Sequence, residues 1–260
     1  MKVAFVFSGL IRELEKTSLR FLELINKSKA DVYASFWDIE NPEDGSTISN
    51  FTEIFKPKYL EIESWKAWES STWNIIQEEY QVTTDLIPYE RNKALSPSPF
   101  SMWYKIWRAN MLTKFDSKPY DVVVRLRTDL ILSPQFEIQQ NDYLNIPHGE
   151  VGIWNWQHCY GIHDFIAYGK PEHMDYYSSI FYYLSRYHKE GHYIYPPENI
   201  LRHHLSQKEI PIRFYGDTVL LRDGGNSDRN NPNKPEEIFL SSYWANKNPD
   251  PELSYYKSRI

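Results

Sequence analysis

Arg125, Arg127 and Asp129 recur at alternate positions within Asp121–Leu132, DVVVRLRTDLIL. In an extended chain such residues share one face, with successive side chains about 7 Å apart. Guanidinium groups match phosphate oxygens, and a carboxylate can hold a divalent cation. The preceding run Val122–Val124 reads as a strand buried on both faces. An apolar start followed by a charged carboxyl end is how a parallel strand delivers polar groups to a crevice, since ligands of open α/β sheets bind beyond the carboxyl ends of the strands. A half-exposed edge strand with a solvated, ion-paired face has the same alternation. Confinement of the charges to one end of the run favours the crevice.

The elements that must position this array begin at the N-terminus. Lys2–Phe7 reads as a short buried strand, Ser8-Gly9-Leu10-Ile11-Arg12 as a turn, and Leu14 to Asn26 as a helix with Leu19, Leu22 and Ile25 on one face. In such a βα unit Ser8 and Gly9 bring the backbone close to a ligand, and Arg12 can pair with its phosphate. The turn carries neither GxGxxG nor a Walker A sequence, so an ordinary βα connection fits it equally. Asp31–Trp37 is a second strand, and Asp38 at its end can bind a ribose or base or cap the next turn. A third strand follows Pro57, within Phe55–Ile62, and Trp65–Tyr80 is helical in period. A stronger helix starts with Ser98 as N-cap and Pro99 in the first position. Its stripe of Phe100, Trp103, Tyr104, Trp107, Met111 and Phe115 is a core face. Lys105 flanks that face as a minor ligand candidate.

Further along, Gly149–Tyr160 reads as a strand with Trp154 and Trp156 on one side, a flat surface for the C–H face of a sugar ring or a piece of aromatic core. Asp164 lies in a turn before the short strand Phe165–Tyr168, where a carboxylate can serve as general base or simply form the turn. Glu172–Lys189 is a helix, and Pro196-Pro197-Glu198 opens another. Glu198 is a second candidate base, although the helix dipole alone favours an acid there. His203 and His204 are possible metal ligands, of which only one can face a given site because neighbours on a helix diverge; each also fits a structural histidine. His158 and Cys159 face opposite sides of a strand and form no dyad. Ile212–Tyr215 and Thr218–Leu221 are late strands, and Asp223–Pro235 is a polar loop suited to a lid or to the plain surface.

Net charge is −6 with no basic block, which argues against nucleic acid or an anionic membrane as the main partner. The single cysteine excludes an internal disulfide and fits a cytoplasmic protein. The N-terminal apolar run is too short for a signal-peptide core, and no stretch has the length of a transmembrane helix.

Taken in order, KVAFVFSGLIRE, YKIWRANML, YDVVVRLRTDLIL, HDFIAYGKPEHMDYY and PENILRHHL resemble the small bacterial and viral glycosyltransferases of GT-A type associated with surface polysaccharides. The resemblance runs to about Leu221. It implies an α/β, GT-A-like single domain over 1–260, with a mostly parallel central sheet flanked by helices. Its nucleotide-sugar-binding half is 1–132 and its acceptor half 133–222, followed by a polar loop and tail. It implies a nucleotide-diphosphate sugar as donor and a glycan as acceptor. Family members usually carry an Asp-x-Asp pair that holds Mn²⁺ or Mg²⁺ against the diphosphate. Here the matching position is Arg127-Thr128-Asp129, with arginine in place of the first aspartate. Two expectations follow: Asp129 alone holds the metal, or Arg125 and Arg127 neutralise the diphosphate without one. The rival readings are a non-catalytic carbohydrate-binding module and another nucleotide-dependent transferase that reads phosphate with Ser8 to Arg12.

Overall fold

The computed structural model describes residues 1–80, 97–132, 151–154, 162, 164–192, 194, 197–208, 210, 212–215 and 218–220. In chain order the elements begin β1 (Val3–Gly9), α1 (Leu14–Ser28), β2 (Asp31–Trp37), α2 (Ile48–Phe55) and β3 (Tyr59–Glu63). A short α3 (Trp65–Trp68) passes through a π-helical turn, Glu69–Trp73, into α4 (Asn74–Tyr80). Then come α5 (Pro97–Leu112), β4 (Val122–Leu126), β5 (Leu130–Leu132), β6 (Val151–Trp154) and β7 (Ile166–Gly169). The last elements are α6 (Pro171–Ser178), α7 (Ile180–Lys189), α8 (Pro197–Ser206), β8 (Ile212–Tyr215) and β9 (Thr218–Leu220).

Seven strands form one sheet in the order β3-β2-β1-β4-β7-β6-β8. The pairs β1–β2, β1–β4, β2–β3 and β6–β8 are parallel, and β7 runs antiparallel to both of its neighbours. The fold is therefore α/β with a mostly parallel central sheet flanked by helices, as the sequence predicts. Strand alternation sorts the apolar side chains onto two faces. Val3, Phe5 and Phe7 of β1, Ala34 and Phe36 of β2, and Val122, Val124 and Leu126 of β4 pack on α1 and α2. Ala4, Val6, Tyr33, Trp37, Val123 and Ala167 point the other way, against Trp103, Ile106 and Ala109 of α5 and Tyr177 of α6. Of the aromatic stripe on α5, Phe100 and Trp103 are buried in the core and Tyr104 and Trp107 are half-buried, whereas Met111 and, beyond the end of the helix, Phe115 are exposed, so the core face covers only the first part of the stripe.

Three expectations need correction. Asp121–Leu132 is not one strand: β4 ends at Leu126, residues 127–129 turn, and β5 pairs antiparallel with β9 in a separate two-stranded sheet. The helix expected over Glu172–Lys189 is broken between α6 and α7 at Ser179, whose ψ of −7° closes one helix before the next begins. On α1 the buried positions are Leu14, Thr17, Phe21, Leu24 and Ile25, whereas Leu19 is 71% exposed. The buried face of α1 thus shares Ile25 with the expected one but runs through Leu14, Thr17 and Phe21 and not through Leu19. Among the described residues, no helix is long and apolar enough to cross a membrane.

Candidate functional site

Strand direction brings the candidate residues to one edge. The sheet reverses its winding between β1 and β4, the place where a doubly wound sheet opens a crevice beyond its carboxyl ends. Ser8 and Gly9 end β1 there, and the turn 127–129 follows β4 there. Because β7 is antiparallel to β4, with Leu126 opposite Ile166, the chain just before β7 arrives at the same edge and sets Asp164 beside that turn. β6 pairs with β7 through Ile153 opposite Ala167, so its last residue, Trp154, also ends there. The amide of Ile162 donates to the carbonyl of Glu198 at 3.0 Å, which ties the first turn of α8 to the Asp164 segment.

Two threonines stitch the rim. The Thr128 hydroxyl accepts the Arg12 amide at 2.9 Å and donates to the Leu10 carbonyl at 3.2 Å. The Thr17 hydroxyl on α1 donates to the Thr128 carbonyl at 2.6 Å. The loop after β1 and the turn after β4 are therefore one hydrogen-bonded unit. Gly9 adopts φ +103°, a conformation open to glycine, and an added Cβ would meet nothing within 4 Å. The backbone there borders open space, while the Arg12 side chain is exposed at the rim.

Arg127 and Asp129 form a planar pair, Nε to Oδ1 and Nη2 to Oδ2, both at 2.8 Å. The Phe165 ring stacks on the same guanidinium, 5.0 Å from its centre. Burial works against the Arg127 charge, but pairing with Asp129 more than offsets it, and the guanidinium is held above its ordinary value. Arg125 lies deeper, 3% exposed, with Nη2 at 4.0 Å from Asp164 Oδ2. Burial pulls its guanidinium below the ordinary value, opposed by Tyr177 and Asp164. Arg125 Nε and Nη1, Asp164 Oδ2, the Ser8 hydroxyl and the Tyr177 hydroxyl are buried and find no hydrogen-bond partner among the described residues. Such atoms carry a desolvation cost that a polar ligand reaching them would relieve.

The remaining candidates sit elsewhere or serve other atoms. Lys105 is fully buried beneath the sheet, its ammonium 2.7 Å from Glu63 Oε2 and 3.2 Å from Ser35 Oγ, with the Trp37 ring below it. Burial lowers its ammonium, against the pull of Glu63. Asp38 is exposed at the end of β2 and accepts the Trp65 amide at 2.8 Å, capping α3. His204 is closed to metal: Nδ1 meets the Tyr187 hydroxyl at 2.8 Å and Nε2 meets the Tyr176 carbonyl at 2.7 Å. Burial pushes its imidazole down to about 4, so the ring is neutral. His158, Cys159, Trp156 and the loop Asp223–Pro235 lie outside the described residues, as does the side chain of Trp154. Sequence reasoning missed Thr128 and Thr17. The one available signal was a threonine lodged between Arg127 and Asp129.

No protein-family model and no curated protein sequence matches the chain. Among solved structures it is similar to apo mouse xyloside xylosyltransferase 1, at 10% identity and a TM-score of 0.38, covering 83% of this chain and 84% of that one. It is also similar to the apo form of glycosyltransferase GlyE of Streptococcus pneumoniae TIGR4, at 13% identity and a TM-score of 0.38. That match covers 82% of this chain and 44% of GlyE. At these TM-scores neither likeness fixes the fold or the activity of this chain.

Proposed function

We propose that the chain is a glycosyltransferase that binds a nucleotide-diphosphate sugar at the crevice between β1 and β4 and passes the sugar to a glycan acceptor. The observation that carries this reading is the Arg127–Asp129 pair beside the open backbone of Gly9, at the winding reversal of a mostly parallel sheet. The ordered sequence resemblance to small GT-A enzymes of surface-polysaccharide synthesis points the same way.

The diphosphate is assigned to Arg127 and Arg12, with the amides after Gly9 approaching its oxygens. A divalent ion on Asp129 and charge balance by the arginines alone are both open to the test below, and the engagement of Asp129 by Arg127 supports the second. Both Asp129 oxygens are taken by Arg127, and among the described residues no group of three ligating side chains includes Asp129. Asp129 is instead assigned the task of fixing the guanidinium plane. Arg125 and Arg127 then neutralise the charge that grows on the leaving diphosphate. In an inverting transfer, an acceptor hydroxyl attacks the anomeric carbon and its proton goes to a carboxylate. The bond from that carbon to the phosphate oxygen breaks, and the nucleoside diphosphate leaves with the electron pair. Asp164 is the first choice of base and Glu198 the second. Trp154 and Trp156 are assigned to the acceptor, and the protein to the cytoplasm.

The test is release of nucleotide from a panel of UDP-, GDP-, CMP- and dTDP-sugars, with Mn²⁺, with Mg²⁺ and with chelator, beside Arg127→Ala and Asp129→Ala. Release of one nucleotide that persists in chelator and is lost in Arg127→Ala is the expected result. Release abolished by chelator would return Asp129 to a metal-binding role. No release, together with no thermal shift on adding nucleotide, would leave a glycan-binding module as the better reading.

A further inference from the structure

A second polar cluster lies where α7 ends and α8 finishes. Glu190 caps the C-terminus of α7, Gly191 reverses the chain at φ +88°, and His192 follows. His203 comes from the last turn of α8. One ring nitrogen of each histidine and one Glu190 oxygen all lie within 4.8 Å of one another. The two imidazoles face each other with centroids 3.7 Å apart and planes tilted by 32°. Nε2 of His203 is buried and has no hydrogen-bond partner among the described residues. Glu190 Oε1 accepts from Nε of Arg186 on the same helix at 2.7 Å.

This cluster sits at the C-terminal ends of α7 and α8, whereas it is the first turn of α8 that is tied to the Asp164 segment at the crevice. A shared cation would bring the two imidazole nitrogens and the carboxylate to one point and satisfy the orphaned nitrogen of His203.

We propose that Glu190, His192 and His203 form a binding site for Zn²⁺ that ties the end of α7 to α8. Two nitrogens and one carboxylate oxygen are the ligand set of a zinc site with a fourth position for water, and imidazole selects zinc-like ions over Mg²⁺ or Ca²⁺. Tetrahedral ligands at Zn–N distances of about 2.0–2.1 Å stand roughly 3.3 Å apart, so the two rings must turn out of their stack and the ligand atoms close by up to roughly 1.5 Å. The half-exposed side chains at a helix end and a glycine turn permit that movement. By clamping α8 near its C-terminus, the ion would fix the helix whose first turn carries Glu198.

Zn²⁺ is titrated into metal-stripped full-length protein in competition with a chromophoric chelator, and thermal unfolding is followed in parallel. The expected result is one equivalent bound and a rise in Tm of about 4 °C or more at a hundredfold excess over Kd. Mg²⁺ should produce no shift. His192→Ala, a change at a half-exposed position, should keep the metal-free Tm and weaken Zn²⁺ binding at least a hundredfold, with Glu190→Gln intermediate. Asp129→Ala should bind Zn²⁺ as the wild type does. Absence of stoichiometric binding, or binding unchanged in His192→Ala, would overturn the proposal. Retained binding in His192→Ala with loss in Asp129→Ala would move the ion to the crevice and equally overturn it.

Discussion

The Arg127 guanidinium and the Asp129 carboxylate meet through two parallel hydrogen bonds of 2.8 Å, so the two side chains act as one plate standing on the turn after β4. Charge-assisted bidentate pairs of this kind fix orientation as well as charge. Arg127→Ala should weaken nucleoside diphosphate binding by about 10- to 100-fold, the worth of one or two hydrogen bonds to a charged group. Arg127→Lys should restore charge without the fork and recover only part of that loss. Asp129→Asn keeps the shape and frees the guanidinium, so it should affect kcat more than affinity. Calorimetry with UDP and GDP, with and without chelator, reads affinity in all three variants, and nucleotide release from the donor sugar reads kcat.

Asp164 stands beside Arg125 at 4.0 Å in a buried setting. As the proposed base it acts on the acceptor and not on the donor. Asp164→Asn should lower kcat by about 10²- to 10⁴-fold with donor affinity little changed. Single-turnover kinetics separates the two effects. Equal loss in Glu198→Gln, with Asp164→Asn active, would exchange the two assignments.

Thr128 joins the two rims of the crevice through one hydroxyl that both accepts and donates. Thr128→Val keeps the volume and strands the Arg12 amide and the Leu10 carbonyl, at a cost of about 1–3 kcal/mol. Thr128→Ser should recover most of it. Denaturant unfolding gives the stability, and the same proteins should show whether loosening the rim also weakens nucleotide binding.

Alongside Asp116, whose carboxyl Lys58 and Lys2 also hold low, Glu61 on β3 contributes to the pH dependence of stability. Burial raises its carboxyl, but the hydrogen bonds from Arg108 and Ser35 outweigh that, and the net value lies below the ordinary 4.5. A folded value below the unfolded one means the stabilisation is present above about pH 4.5 and is lost as pH falls through the folded value. Acid unfolding of wild type should therefore steepen below pH 4.5, and Glu61→Gln should flatten that limb. Tm measured from pH 3 to 7, about four units across the transition, checks it.

Much of the frame was legible because burial on both faces leaves a strong mark. Asp31–Trp37 has the limits its sequence suggests, and the aromatic spacing of α5 places Trp103 in the core. The break at Arg127 was not legible. RLRTDL alternates from Arg125 to Leu130 and contains no glycine, proline or asparagine to mark a turn, and the strand ends where pairing with β1 and β7 stops at Leu126. Ser179 breaks its helix without such a marker too. At the site, the residue types were visible but their partners were not. Thr17 and Thr128 are 111 positions apart, and nothing local tells either which atom it will meet. Lys105 shows the opposite failure: a cation beside an aromatic stripe looks like a ligand contact, but its partner is Glu63 of β3, brought under the sheet by packing.

The reversed direction of β7 has a consequence for how the protein can be altered. The turn after β4 and the approach to β7 meet at one edge yet belong to chain segments separated by two strands. One rim holds the arginine–aspartate plate and is anchored to α1 through threonine hydroxyls. The other carries Asp164 and is anchored to α8 through a backbone bond. Substitutions at Ile162 or Asp164 would thus change the rim opposite the plate without breaking the bonds that hold the plate in register, as with a lock whose wards can be recut without moving the bolt.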